Sequence, residues 1–100
     1  MFRHVVIWNL DDRFSEEEKE RAALEIKTRL ETFAEELPEV EYFHVQYQGF
    51  PPSTGDLILD SSFATREALE YYKVHPTHVE IGGFVRSVVK SRASMDYEAD

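Results

Sequence analysis

From Arg3 to Leu10 the chain is apolar on both faces of an extended segment. His4, Val6, Trp8 and Leu10 fall on one side, and Val5 and Ile7 on the other. A strand of this kind needs cover on both sides, and the segments that follow must supply it. Asp11 to Phe14 is a polar turn. Ser15-Glu16-Glu17-Glu18 then matches a capping box, with Ser15 as N-cap and Glu18 reaching back to it. Ala23, Ile26, Leu30, Phe33 and Leu37 recur at spacings of three and four, giving a helix with one apolar stripe that Pro38 stops. The acidic run Glu16 to Glu20 sits at the positive end of the helix dipole and reads as a solvated face.

Val40 to Gln48 has strand composition, with Phe43, Val45 and Tyr47 on one face and Tyr42, His44 and Gln46 on the other. A Gly/Pro/Ser loop over 49–55 leads into a third strand, Asp56 to Phe63. Thr65 can cap a second helix carrying Ala68, Leu69 and Tyr72, which ends near Val74 because the residue before a proline avoids the helical region. Pro76 suits the first turn of a further helix to about Arg86, and Val88 to Tyr97 is the last strand. The order is βαββαβ over one α+β domain, residues 1–100. It predicts a ferredoxin-like antiparallel sheet with its helices on one face. On the other face Val5, Ile7, Phe43, Val45, Val89, Ala93 and Met95 would meet water. Pairing two such sheets across a two-fold axis covers them, so a homodimer is expected.

Composition narrows the partners. Twenty acids against eleven bases give a net charge of −9, and no basic patch interrupts it, which argues against nucleic acid and anionic membrane surfaces. No apolar run approaches the ~20 residues of a membrane span. The N-terminus enters a strand pattern at once, without a small-residue cleavage site. The absence of cysteine fits a reducing compartment, and a cytoplasmic location is expected.

The most chemically loaded stretch is Tyr72-Lys73-Val74-His75-Pro76-Thr77-His78, which brings a phenol and two imidazoles to a helix break. If Val89, Ala93 and Met95 face the partner, then Lys90, Arg92, Ser94 and Asp96 face the helices. His4 and Trp8 point to that same side, and Tyr72 and His78 approach it from the helices. A dry core does not accept so many polar groups, and a wet cavity between sheet and helices does. For His75 the balance favours a ring that caps the helix start over a direct catalytic role. His44 defaults to the surface. His75, His78 and Glu80 have ligand chemistry but lack a recognised zinc spacing, so no metal is expected.

Arg3-His4-Val5-Val6, Tyr72 to Val79, Phe84-Val85-Arg86 and Asp96-Tyr97, taken in that order along the whole chain, resemble the stress-responsive α/β-barrel (Dabb) family. The resemblance implies a dimeric α+β barrel with a pocket inside each protomer. It also implies a relation to plant polyketide cyclases of the olivetolic acid type, which close a linear tetraketide by aldol condensation without a cofactor. By motif, their base corresponds to His78 and their carbonyl-binding tyrosine to Tyr72, while His4 and Asp96 match two further positions. A neutral imidazole suits proton abstraction beside a carbonyl, Asp96 could fix its tautomer, and Tyr72 could donate to the enolate oxygen. Trp8, His75 and Arg92 complete the expected substrate-binding set. Ala22, Ala23 and Ile26, the first-helix positions expected to line the pocket, replace bulkier residues of the cyclases, and Arg92 and Ser94 replace apolar ones on the last strand. These departures turn the expectation away from a long polyketide, and Arg92 alone points towards a small oxo-acid or another anion, pairing either a substrate carboxylate or Asp96. Two other readings stay open: a non-enzymatic stress-response or small-molecule-binding protein, and a relative of ferredoxin-like oxygenases that uses an activated substrate or haem.

Overall fold

The computed structural model describes residues 1–100. Its elements are β1 (Phe2–Leu10), α1 (Glu16–Ala34), β2 (Val40–Tyr47), β3 (Leu57–Phe63), α2 (Arg66–Val74), α3 (Pro76–Val88) and β4 (Val89–Glu98). The strands form one antiparallel sheet in the order β2-β3-β1-β4, which places β1 inside the sheet and β4 at its edge. The architecture is the ferredoxin-like α+β fold.

Local chemistry sets the helix ends. Glu18 donates its N–H to Ser15 Oγ at 3.1 Å, and Ser15 N–H returns a bond to Glu18 Oε1 at 2.8 Å. Thr65 Oγ1 accepts from Ala68 N–H at 3.0 Å and opens α2. α1 closes at Ala34, short of Pro38. Its last carbonyls are taken by a tighter turn, with Glu36 N–H donating to Phe33 and Leu37 N–H to Ala34, and Glu39 then adopts a left-handed φ of 63° to enter β2. Leu37 still packs against the core from that turn. His75 breaks the path between α2 and α3, and Pro76 takes the first position of α3. α3 runs past Arg86 to Val88 and passes into β4 with no loop residue between them. That junction is tied down by Asp11 N–H to Val88 O at 2.9 Å and by Arg13 Nη2 to Ser87 O at 2.6 Å.

The core lies between sheet and helices. Ile26, Leu30 and Phe33 of α1 pack there with Val6, Val45, Leu59 and Phe63 of the sheet. Register corrects the expected division of the two sheet faces. Val45 pairs with Leu59 and Leu59 with Val6, while Phe43 pairs with Ser61 and Ser61 with His4. Residues in register share a face, so Phe43 and Val45 lie under the helices, where Val45 is fully buried. Alternation along β2 establishes that two faces exist but not which one meets the helices, and the pairing with β3 decides it. Val89 also packs against the core, because the pairing of β1 and β4 shifts between Asn9 and Leu10. The open face retains Val5, Ile7, Ile58, Ala93 and Met95, with Ile7 41% and Met95 67% exposed.

Candidate functional site

A cavity of about 650 Å³ opens between the sheet and the helices, with walls from β1, α1, α2, α3 and β4. His4, Val6 and Trp8 reach it because they alternate onto the helix side of β1. Tyr72 enters from the last turn of α2, His78 from the first turn of α3, and Arg92 from β4, directly opposite Trp8.

Tyr72 is the centre of this arrangement. Its ring lies 4.4 Å from His78, 5.4 Å from Phe63, 5.7 Å from Phe43, and 5.9 Å from both His4 and Phe33, centroid to centroid. The side chain is 1% exposed, yet its hydroxyl makes no hydrogen bond to protein and is not among the sealed orphan groups. A buried phenol normally finds a partner, so this hydroxyl is left facing the cavity. Burial pushes the phenol far above its ordinary pKa, against a smaller opposing effect of the Arg92 charge. It therefore remains a donor.

His78 has a defined tautomer. Its Nδ1 lies 3.0 Å from the Lys73 main-chain carbonyl, which can only accept, so Nδ1 carries the proton and Nε2 keeps a free lone pair. Burial holds its pKa below the ordinary imidazole value. The Lys73 carbonyl opposes this, and the charges of Arg92 and Lys73, with that of His4 when it is protonated, reinforce it. A neutral ring with an unprotonated Nε2 is the form that accepts a proton.

His4 is buried in β1, with Nδ1 2.5 Å from Asp96 Oδ1 on the adjacent β4. Burial lowers its pKa more than Asp96 raises it. Burial alone would raise the Asp96 carboxyl, but hydrogen bonds from Lys73 and His4 outweigh it and keep the group ionised. Lys73 Nζ binds Asp96 Oδ2, closing a Lys73–Asp96–His4 chain that joins α2, β4 and β1.

His4, Trp8, Tyr72, His78 and Arg92 thus line one cavity. Asp96 stands behind His4, and the tautomer it fixes is that of His4; the His78 tautomer is set by a backbone carbonyl that no side-chain pattern reveals. His75 lies outside the lining. Its Nδ1 accepts from Thr77 N–H at 3.1 Å, and its ring packs 4.8 Å from Phe33 and 5.5 Å from Tyr71, a cap at the start of α3. His75, His78 and Glu80 do not converge, and no group of three or more acids and imidazoles is arranged to hold a metal ion. His44 is half-buried on the open face, 2.8 Å from Gln46 Oε1.

On α1 the lining residue is Leu30, while Ala23 and Ile26 are sealed in the core. The rotation of α1 on the sheet decides this, one turn beyond the expected positions. Sequence reasoning missed Arg86 in the cavity wall and Lys73 as the partner of Asp96, while Lys90 lines the wall as its strand parity implied. Arg86 had a legible signal: His78, Gly82 and Arg86 recur every four residues on one face of α3. Gly82 keeps that face clear, since a Cβ there would come 3.2 Å from Arg86 Nη1.

The profile of the stress responsive A/B barrel domain, Dabb, matches residues 2–99. The chain belongs to the Dabb family. This Dabb protein is similar to a dimeric ferredoxin-like protein of unknown function from Bacteroides fragilis, with a TM-score of 0.87 and 28% identity over 98% of this chain and 95% of that one. A Dabb family protein from Mesorhizobium loti superposes with a TM-score of 0.71 at 25% identity over 98% and 95% of the two chains. The hydroxynitrile lyase of Passiflora edulis shares the fold, with a TM-score of 0.80 at 12% identity over 99% and 93%. No curated protein sequence matches this Dabb protein.

Proposed function

We propose that this Dabb protein is a homodimer whose protomers each bind a small carbonyl compound and perform acid/base chemistry on it without a metal or cofactor. His78 is the base and Tyr72 the carbonyl-polarising donor. The observation that carries this reading is the pairing of an Nδ1–H imidazole, its Nε2 free, with a buried phenol lacking a protein partner, their rings 4.4 Å apart in one cavity.

In the reaction, His78 Nε2 takes a proton from the carbon next to the carbonyl. The electron pair moves into the C–O bond, and Tyr72 O–H donates to the developing enolate oxygen. The enolate carbon then forms a new C–C bond by attack on a second carbonyl, whose oxygen takes up the proton from His78, or it is reprotonated at carbon in an isomerase step. The raised pKa of Tyr72 suits a hydrogen-bond donor that does not itself ionise. His4, tethered by Asp96 and Lys73, forms the wall that orients the substrate. A lyase of this fold is represented by the Passiflora protein.

The homodimer reading rests on Val5, Ile7, Ile58 and Met95 on the open sheet face, and on relatives described as dimeric from Bacteroides fragilis and Thermobifida fusca.

The test is exchange of α-protons for deuterium, followed by proton NMR in heavy water on a panel of small ketones and oxo-acids. Wild type should accelerate exchange, and His78→Ala should lose about 10²-fold or more of that acceleration. Full exchange by His78→Ala would remove His78 as base. Ligand binding without exchange by the wild type would favour a binding protein.

A further inference from the structure

The charges around the cavity run against those of the chain. The protein carries twenty acids and eleven bases, yet the cavity lining contains Arg86, Lys90 and Arg92 and not one Asp or Glu. Eight of the eleven bases form ion pairs with carboxylates, leaving Arg66, Arg86 and Arg92. Two of those three face the cavity. Lys90 is neutralised by Asp12 at 2.7 Å, so the free positive charge of the wall is that of two guanidinium groups.

Arg92 is the better placed of the two. Its side-chain partner is the Ser94 hydroxyl at 3.1 Å, while Asp96, four residues further along the same face of β4, is taken by His4 and Lys73. Its charge acts on Tyr72, His4 and His78 together. Arg92 and Arg86 are exposed while Tyr72 is buried, so the cations stand at the mouth and the phenol at the depth. A guanidinium without a carboxylate, next to a buried donor without an acceptor, matches a ligand with an anionic end and a carbonyl end.

Resting on the carbonyl chemistry proposed above, we propose that the cavity selects small oxo-acids, with the carboxylate held at the mouth by Arg92 and Arg86 and the carbonyl directed to Tyr72. In a net-negative protein these two arginines act as a local filter that admits an anion the rest of the surface repels.

Trp8 is the single tryptophan of the chain and lines the cavity, so its fluorescence reports occupancy. The probes are 4-phenyl-2-oxobutanoate and its primary amide, which share a skeleton and differ in charge. The acid should bind wild type about tenfold or more tighter than the amide. Arg92→Ala should abolish most of that preference and Arg92→Lys should retain part of it. Arg66→Ala, which removes an unpaired cation outside the cavity, should leave the preference intact. Equal binding of acid and amide, an undiminished preference in Arg92→Ala, or displacement of the acid by an equal concentration of inorganic phosphate would overturn the proposal. His78→Ala separates this proposal from the one beneath it, because the variant should keep the acid preference while losing proton exchange. Acid selectivity with no exchange in the wild type would sink the catalytic reading alone. Exchange on neutral ketones without acid selectivity would sink the substrate class alone.

Discussion

His78 donates its Nδ1–H to the main-chain carbonyl of Lys73, so an imidazole in the first turn of α3 has its proton position dictated by a residue in the last turn of α2. The same lysine holds Asp96 through its side chain, and Asp96 holds His4. One residue therefore bears on both imidazoles of the cavity, one through its backbone and the other through its ammonium group.

The pH profile follows from the direction of the His78 shift. A base must be neutral, and burial keeps this imidazole below its ordinary value of 6.5. Exchange rates should stay flat through neutral pH and fall on acidification, with the inflection below 6.5. No descending limb from Tyr72 should appear in the ordinary phenol range, since burial moves that group upwards. An acid limb with its midpoint above 7 would contradict the assignment.

Stability should also fall on mild acidification. His4 and His78 have folded-state pKa values below 6.5, so the unfolded chain binds protons that the folded one refuses. Their contribution is fully present above 6.5 and is lost as the pH drops from there through the lower folded values. Thermal melts between pH 8 and about 5 should show a declining midpoint, and His4→Phe should flatten part of that decline.

Tyr72→Phe should separate function from folding. The hydroxyl has no protein partner to lose, so chemical denaturation should give a stability within about 0.5 kcal/mol of wild type. Exchange should drop about 10²-fold, the loss typical of one donor to a developing oxyanion. A large destabilisation would mean that the hydroxyl serves the core.

Asp96→Ala should do the reverse. It leaves the buried Nδ1 of His4 without a partner, a cost of about 1–3 kcal/mol measurable by urea titration. Lys73→Met at the outer end of the chain should cost less, because its ion pair is partly solvated.

Met95→Arg tests the open sheet face. Met95 lies opposite Val5 in the register and is 67% exposed. Across a two-fold interface the substitution brings two unpaired charges into an apolar patch. Light scattering should report a monomer for the variant and a dimer for wild type.

Much of this was legible along the chain. Ser15 with Glu18, Thr65, and Pro76 after His75 mark helix starts by local chemistry, which acts within a few residues and survives in the sequence. Non-local terms were not legible. Phe43 and Val45 were expected on the open face because the sign of an alternation is set by a partner strand. The ring cluster around Tyr72 draws on β1, α1, β2 and β3, elements remote from it along the chain. Leu30 stands in the cavity wall in place of Ala22, Ala23 and Ile26 because helix rotation is settled by packing, which no single helix encodes. Arg92 was singled out by its strand parity, yet its freedom from Asp96 depends on Lys73 reaching across from another element.

The direct passage of α3 into β4 joins Arg86 and Arg92 through a single rigid corner at Val88 and Val89. Two blades of a pair of calipers behave this way: the gap between the tips is fixed by the angle at the pivot. Because Asp11 and Arg13 clamp that pivot, the separation of the two points from which the arginine side chains spring is a property of the backbone. Resetting that corner, for instance by inserting a glycine between Val88 and Val89, would move the two arginines relative to each other without replacing any residue that lines the cavity.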